Sequence, residues 1–169
     1  MQIAKWIAPL LSAGLLAGNM LAWDGRAFSA QLIGSSVGQH VAGVPSGGAP
    51  WKITSGQVSV SGSGRIEVEL KGLLISSGPA LNTTGPVTMV MASLVCGDIA
   101  AANTKAVVLT SGGNAQIEDA ISVPSSCIAP AILIRIAATI SGPVTNGPFI
   151  AVNALSGAGD NGDDHNRDR

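Results

Sequence analysis

The segment Val87-Thr-Met-Val-Met-Ala-Ser-Leu-Val-Cys96 is the longest unbroken apolar strand candidate in the chain. Side chains alternate along a strand, so it has two apolar faces, Val90, Ala92 and Leu94 on one and Met89, Met91 and Val95 on the other. A strand that is apolar on both faces is covered on both sides. We therefore predict that this segment lies in the interior and that the other strands are arranged around it.

The composition favours short strands over helices. Hydrophobic residues make up 46% of the 169 residues and charged residues only 11%, well below the roughly 25% of ordinary soluble domains. Gly, Ser, Thr, Ala and Val are abundant, whereas a helical bundle needs many more Glu, Lys, Arg and Leu. The formal net charge is −1 and no basic cluster occurs. Nucleic-acid binding, which requires several phosphate-neutralising side chains on one face, is therefore excluded.

Two hairpins are predicted from alternation and turn residues. The first spans residues 57–75, where Arg65–Lys71 alternates apolar with charged side chains, as in a strand with one wet face. Gly72 then changes the apolar parity, which indicates a bulge or a crossing between sheets. The second hairpin pairs residues 105–110 with 115–123 around a turn at 111–114. Within it, Asp119 has the parity of the apolar residues and is expected to point inward or to mark a bulge.

These four strands, the segment 87–96 and two strands at 131–137 and 148–154 make about seven strands. Turn residues separate them, and no credible helix follows the N-terminal segment. We predict an all-β fold, an antiparallel two-sheet sandwich of immunoglobulin-like type with one disulfide. Closure into a barrel is the alternative.

The N-terminus has the features of a secretory signal peptide. One Lys precedes an apolar run at residues 6–22, and Ala27 and Ser29 supply small residues at positions −3 and −1 for cleavage after Ser29. Cleavage after Ala30 or Ala22 is an alternative, and so is an uncleaved anchor, although the run is short for a membrane span. The predicted organisation is that of a secreted protein, with a signal peptide at 1–29, a flexible Gly/Ser/Pro lead-in at 30–50 in which residues 30–33 are a candidate edge strand, the β-sandwich domain at 51–155 and a disordered polar tail at 156–169.

Cys96 and Cys127 are the two cysteines of the chain. In an exported protein they are expected to bond to each other. Closing a loop of about 31 residues contributes roughly 3–4 kcal/mol of stability in the chain-entropy account. No His or Lys is adjacent to either cysteine and no CxxC motif occurs, so a reactive thiol or a metal site is not favoured. The spacing also differs from that of antibody domains.

Several short motifs follow one another in a particular order, namely Trp51-Lys-Ile53, Val68-Glu-Leu-Lys-Gly-Leu-Leu-Ile75, Gly85-Pro-Val87, Ala92-Ser-Leu-Val-Cys-Gly97, Val108-Leu-Thr-Ser111, Asn114-Ala-Gln-Ile117, Pro124-Ser-Ser-Cys127 with Pro130, and Ile150-Ala-Val152. In this order and spacing, residues 51–154 resemble a group of small exported proteins, common in soil actinobacteria and their relatives, that have no assigned activity. The resemblance implies a secreted β-sandwich with this one disulfide. It carries over no catalytic residue.

Trp51 is the only tryptophan of the predicted mature chain. We expect it to fill one end of the core, and a ligand-stacking platform is the alternative. A catalytic triad needs a positioned imidazole, and the two histidines, His40 and His165, lie in segments expected to be mobile.

The acidic residues do not form a recognisable active site. Glu67 and Glu69 share one face of a strand, which is similar to the carboxylate pair of a glycosidase, but Arg65 and Lys71 flank them on that face. A solvated, charge-balanced surface is therefore expected. The acidic stretch at 160–165 lacks the residue order of a calcium loop.

The sequence thus predicts a secreted, non-enzymatic domain with a structural or surface-interaction role. No catalytic, cofactor-binding or metal-binding residue is assigned, and Trp51 is the single candidate for a ligand contact. The expected partners are a second copy or a cell-surface component, without nucleic acid and with membrane contact only through the signal peptide. An extracellular small-ligand or carbohydrate-binding module is the alternative function.

Overall fold

A computed structural model of the protein describes residues 28–127, 129–138 and 145–153. The predicted polar tail, and the predicted signal peptide up to residue 27, lie outside the described residues. The described chain forms thirteen strands, β1 (Phe28–Gly34), β2 (His40–Val41), β3 (Val44–Pro45), β4 (Trp51–Lys52), β5 (Ser55–Val60), β6 (Arg65–Lys71), β7 (Leu74–Ile75), β8 (Met89–Cys96), β9 (Ile99–Asn103), β10 (Val107–Val108), β11 (Ala115–Ala120), β12 (Ala131–Ala138) and β13 (Thr145–Asn153).

The described residues contain strands and turns but no helix, and every strand pair is antiparallel. The predicted antiparallel all-β architecture is confirmed. The strand number exceeds the predicted seven partly because five of the thirteen strands have only two residues each. None of the described residues forms a helix long and apolar enough to cross a membrane.

One long curled sheet has the strand order β10-β8-β12-β13-β1-β5-β6-β11, with β9 also paired to β8. β1 joins its two halves, because residues 28–31 pair with β5 and residues 32–34 pair with β13. A strand that passes from one group of strands to another forms a corner of the sheet. We refer to the groups on either side as the β5–β6–β11 half and the β8–β12–β13 half, the latter including β9 and β10.

The main hydrophobic core lies between these two halves. The β5–β6–β11 half contributes alternate residues of each strand, and the β8–β12–β13 half faces them with its own apolar set. In β6 the alternation is complete, with Ile66, Val68 and Leu70 buried and the intervening charged residues exposed, as the sequence predicts. Burial of such a contiguous set is the principal stabilising contribution in a domain of this kind.

β8 is buried on both faces, which confirms the prediction made from its two apolar sets. Val90, Ala92 and Leu94 belong to the main core. On the opposite face, Val95 packs in a second, smaller core and Met91 is only 2% exposed. The strand is flanked by β12 on one edge and by β9 and β10 on the other. Both its faces and both its edges are therefore occupied.

The second core explains the structure of residues 35–50. Val44, Val95, Leu133 and Phe149 form it, on the side of the β8–β12–β13 half that faces away from the main core. It is covered by the short β2–β3 hairpin, whose two-residue turn has positive φ at Ala42 and Gly43, as a type I′ turn requires.

The structure therefore differs from the prediction of a flexible lead-in at residues 30–50. β1 lies within the sheet, and the hairpin that follows it covers the second core. Glycines in this region serve a tight turn at Gly43 and close contacts at Gly34 and Gly47, although glycine is also typical of linkers.

The first predicted hairpin is present, because β5 pairs with β6 from Ser55 opposite Lys71 to Val60 opposite Ile66. At Gly72, where φ is +64°, the chain leaves β6, and β7 pairs with β4 in a separate two-stranded sheet. The predicted crossing between sheets is confirmed.

The second predicted hairpin is wrong. The turn exists, with Thr110 N donating to the Asn114 carbonyl at 3.0 Å. Its two arms then separate, because β10 pairs with β8 whereas β11 pairs with β6. At the turn, a Cβ on Gly113 would collide with the backbone of Leu73. The turn therefore packs closely against Leu73, which follows β6. Its two arms belong to opposite ends of the strand order, β10 at one end and β11 at the other.

Cys96 and Cys127 form a disulfide, as predicted, with a Cα–Cα distance of 4.8 Å. It ties the end of β8 to the connection that leads into β12. Both cysteines pack against the main core.

Removal of this disulfide should lower the free energy of unfolding. We expect the double substitution Cys96→Ala with Cys127→Ala to cost about 3–4 kcal/mol, because a closed loop with a sequence separation of 31 residues no longer restricts the unfolded chain. Denaturant unfolding monitored by Trp51 fluorescence measures the loss. Reduced wild-type protein is the control and should match the double variant. A double variant as stable as the oxidised wild type would contradict the expectation.

Candidate functional site

The outward face of β1, β5, β6 and β11 carries two rows of polar side chains that run across the strands. Register partners in successive strands form them, Ser29, Ser59, Glu67 and Glu118 in one row and Gln31, Gln57, Glu69 and Gln116 in the other. Neighbouring strands are about 4.8 Å apart and alternate residues of a strand about 6–7 Å apart. The face is thus a regular grid of hydroxyl, amide and carboxylate groups.

A groove of about 320 Å³ lies on this face. Seven of the eight grid residues line it, namely Ser29, Gln57, Ser59, Glu67, Glu69, Gln116 and Glu118, and we call it the polar groove. Its position follows from strand alternation, since the neighbours of these residues in sequence point into the main core.

The charges of the polar groove are largely matched along β6. Arg65 Nε lies 2.8 Å from a Glu67 oxygen, and Lys71 Nζ lies 2.7 Å from a Glu69 oxygen. All four side chains are more than half exposed, so these ion pairs contribute little to stability. This arrangement is the charge-balanced wet face that the sequence predicts.

Glu118 differs from Glu67 and Glu69, because no Lys or Arg side chain of the described residues forms an ion pair with it. It accepts a hydrogen bond from Gln116 Nε2 at 2.7 Å. Its register partner is Glu67, and like charges at directly opposite positions of a sheet are unfavourable. A ligand that donates hydrogen bonds would be favoured at this point of the polar groove.

Asp119 does not line the polar groove. Its carboxylate accepts hydrogen bonds from backbone amides at the edge of the sheet. One carboxylate oxygen accepts the Lys105 amide at 2.7 Å and the other accepts the Ala120 amide at 2.9 Å. These two backbone donors, Lys105 first, hold the pKa of Asp119 below its usual value. The register of β11 is continuous through Asp119, so it does not mark a bulge. The side chain ties the β9–β10 connection to β11.

Trp51, the predicted candidate for a ligand contact, is 6% exposed and belongs to the main core. Its backbone passes so close to β1 that a Cβ on Gly34 would collide with the Trp51 carbonyl. A Cβ on Gly47 would lie 3.3 Å from the indole nitrogen. The ring is enclosed by positions where glycine allows close approach, and little of its surface is available for stacking on a ligand.

Two buried polar residues were not identified from the sequence. Arg135 is 8% exposed, its Nε donates to the Gly147 carbonyl at 2.7 Å, and burial lowers its pKa. Asn153 is 4% exposed, and its side-chain oxygen accepts the Ile132 amide at 2.6 Å. Arg135 occupies an alternate position of β12 where a strand with one wet face would expose it, and it is buried because the second face of this half is also covered. Asn153 is instead the register partner of Leu32, a residue of the main core.

Neither a catalytic base nor a metal ligand set is brought together in the described part of the chain. His40 lies exposed on β2, and His165 lies outside the described residues together with the acidic stretch at 160–165. Among the residues described, no three His, Cys, Asp or Glu side chains gather as a metal site would require. The chain matches no family model, no curated protein and no solved structure.

The role of Asp119 predicts a pH-dependent contribution to stability. We expect Asp119→Asn to lower the free energy of unfolding by about 1–2 kcal/mol at neutral pH, because it weakens two charge-assisted hydrogen bonds. The pKa of Asp119 is depressed in the folded state, so its contribution is present above the unfolded pKa of about 3.9 and is lost as the pH falls through the folded pKa. Unfolding curves of both proteins between pH 2 and 7 measure this.

Glu118→Gln is the matched control, since it removes the adjacent carboxylate on the exposed face and should change stability by less than about 0.5 kcal/mol. A difference between wild type and Asp119→Asn that stays constant down to pH 2 would contradict the assignment.

Proposed function

We propose that this protein is an exported, non-enzymatic β domain that acts through its surface, in a structural or interaction role. A disulfide that closes the core is compatible with an oxidising, extracellular compartment. The leader-like N-terminus supports the same location. We also propose that the protein is related to the small exported proteins of soil actinobacteria that residues 51–154 resemble. Its proposed architecture is an immunoglobulin-like sandwich, in which the two halves of the curled sheet face each other across the main core.

The observation that carries the interaction role is the free edge formed by β9 and β10. Both strands pair with β8 and with no other strand of the described residues. Ile99 of β9 is 69% exposed and Val108 of β10 is 66% exposed, the two most exposed large apolar side chains in the described part. Neither strand contains a charged residue or a proline, the usual protection of an edge. Such an edge pairs readily with a further strand.

Self-association through this edge is the first test. Sedimentation velocity over a range of protein concentrations should detect an assembly in the wild type. The substitutions Ile99→Lys and Val108→Lys should weaken it, because a charge on an edge strand opposes pairing with another chain. Val37→Lys is the matched control, since Val37 is 57% exposed but lies in a turn and not on an edge strand. A wild type that stays monomeric and binds no cell-wall or surface material would contradict the proposal.

The polar groove favours a second candidate function, an extracellular carbohydrate-binding module. Its grid of amides, hydroxyls and carboxylates offers hydrogen-bond donors and acceptors at regular spacing, which suits a ligand with many hydroxyl groups. Of the three aromatic side chains among the described residues, Trp51 and Phe149 are 6% and 0% exposed, and Phe28 is partly buried against the main core. Binding would therefore rest on hydrogen bonds and would be weak for a single sugar.

Calorimetric titration with a panel of soluble polysaccharides tests this candidate. Gln116→Ala should weaken binding about threefold to tenfold, the equivalent of roughly one hydrogen bond. Gln31→Ala is the control, because Gln31 has the same residue type on the same face but does not line the polar groove. Silence across the panel, or an equal effect of both substitutions, would remove the carbohydrate candidate and leave the edge-mediated role.

A further inference from the structure

The two strands of the exposed edge differ in how much free backbone they offer. The outer side of β10 faces β11, because the Asn114 carbonyl accepts the Thr110 amide at 3.0 Å at one end and the Asp119 carboxylate accepts the Lys105 amide at 2.7 Å at the other. A strand inserted between β10 and β11 would need about 9–10 Å between them, whereas single hydrogen bonds join them at both ends. β10 therefore contributes the exposed side chain of Val108 but little accessible backbone.

β9 has no such neighbour. One side of it pairs with β8, and the other side pairs with no strand of the described residues. Ala101, at its centre, has no register partner in β8, because the register shifts between Ala100 and Ala102. The extra residue of such a bulge is left unpaired. The middle of β9 thus presents the backbone groups that a further strand would bind.

The side chains of β9 are compatible with a second copy of the same strand. Ile99–Asn103 contains three consecutive alanines and no charged residue, so two copies paired antiparallel bring no like charges opposite each other. The three methyl groups allow close approach and have no hydrogen-bonding group that would select a different protein. The formal net charge of −1 gives little repulsion between copies.

We propose that β9 pairs antiparallel with β9 of a second copy, about a two-fold axis at Ala101, to form a closed dimer. This inference rests on the proposed interaction role of the exposed edge and names its partner. Each Ile99, 69% exposed in the single chain, lies opposite Asn103 of the second copy and becomes covered.

The dimer is closed because each copy has one accessible edge of this kind among its described strands. In a two-fold contact both copies use the same surface, so the pairing leaves no β9 edge free. β11, at the other end of the strand order, is joined to the β10 segment through Asp119 and Asn114. Assembly therefore stops at two copies, whereas a contact between unlike surfaces would continue into a fibre.

A pair of charge substitutions on the axis tests the symmetry. Ala101→Lys and Ala101→Glu should each be monomeric alone, because each places like charges opposite one another. An equimolar mixture should form a 1:1 heterodimer that is about tenfold tighter than either variant's self-association. Native mass spectrometry and sedimentation velocity measure the species, and an unchanged Trp51 fluorescence spectrum verifies that each variant is folded. The wild type should show monomer and dimer with no larger species.

Val37→Lys and Val37→Glu are the matched controls, since Val37 is 57% exposed in a turn away from β9. They should dimerise like the wild type, both alone and mixed. Trimers or larger species in the wild type, or Ala101 variants that behave alike alone and mixed, would overturn the two-fold dimer while leaving an edge-mediated role. A monomeric wild type that binds cell-wall material would overturn this inference but keep the proposed function. A monomeric wild type that binds none would overturn both.

Discussion

The pairing of β1 with two different neighbours is the constraint on which the rest of this structure depends. Its first residues pair with β5 and its last residues pair with β13, so a single strand fixes how the two halves of the sheet meet. The main core is enclosed only because this corner directs the apolar faces of both halves toward each other. A change at β1 therefore affects both halves, whereas a change at β9 or β10 affects one edge.

The surface divides into regions with different chemistry. The polar groove presents hydrogen-bonding groups, of which Glu67 and Glu69 are paired with cations on the same strand, while the β9–β10 edge presents exposed apolar side chains and unpaired backbone. Asp119 lies between them and uses its carboxylate to hold backbone amides. The carboxylate of Asp119 thus has structural partners, whereas the side chains of the polar groove and of the β9–β10 edge remain exposed.

Local patterns were sufficient wherever burial follows strand alternation. β6 and β8 were correct in position and in the direction of their side chains, since each face has a uniform character. Pairing was predictable for β5 and β6, which are joined by a short turn. It failed for β10 and β11, which are also joined by a turn but belong to opposite ends of the sheet. Turn residues specify that the chain reverses, not which strands the two arms will join.

The sequence pattern revealed part of the polar groove, namely Glu67 and Glu69 on one face of β6. The residues of the groove on β1, β5 and β11 come together only through the register of the strands, which the sequence pattern does not specify.

By itself, the sequence determined the strand class, the disulfide partners and the two-sided burial of β8, because each of these follows from residue type and spacing along the chain. Only the tertiary structure decided that residues 28–50 belong to the domain, that Trp51 is enclosed and that Arg135 and Asn153 are buried. Each of these depends on a contact between segments that are far apart in sequence. The local pattern of a glycine-rich or alternating stretch is the same whether another segment covers it or it faces water, so the pattern cannot reveal the contact.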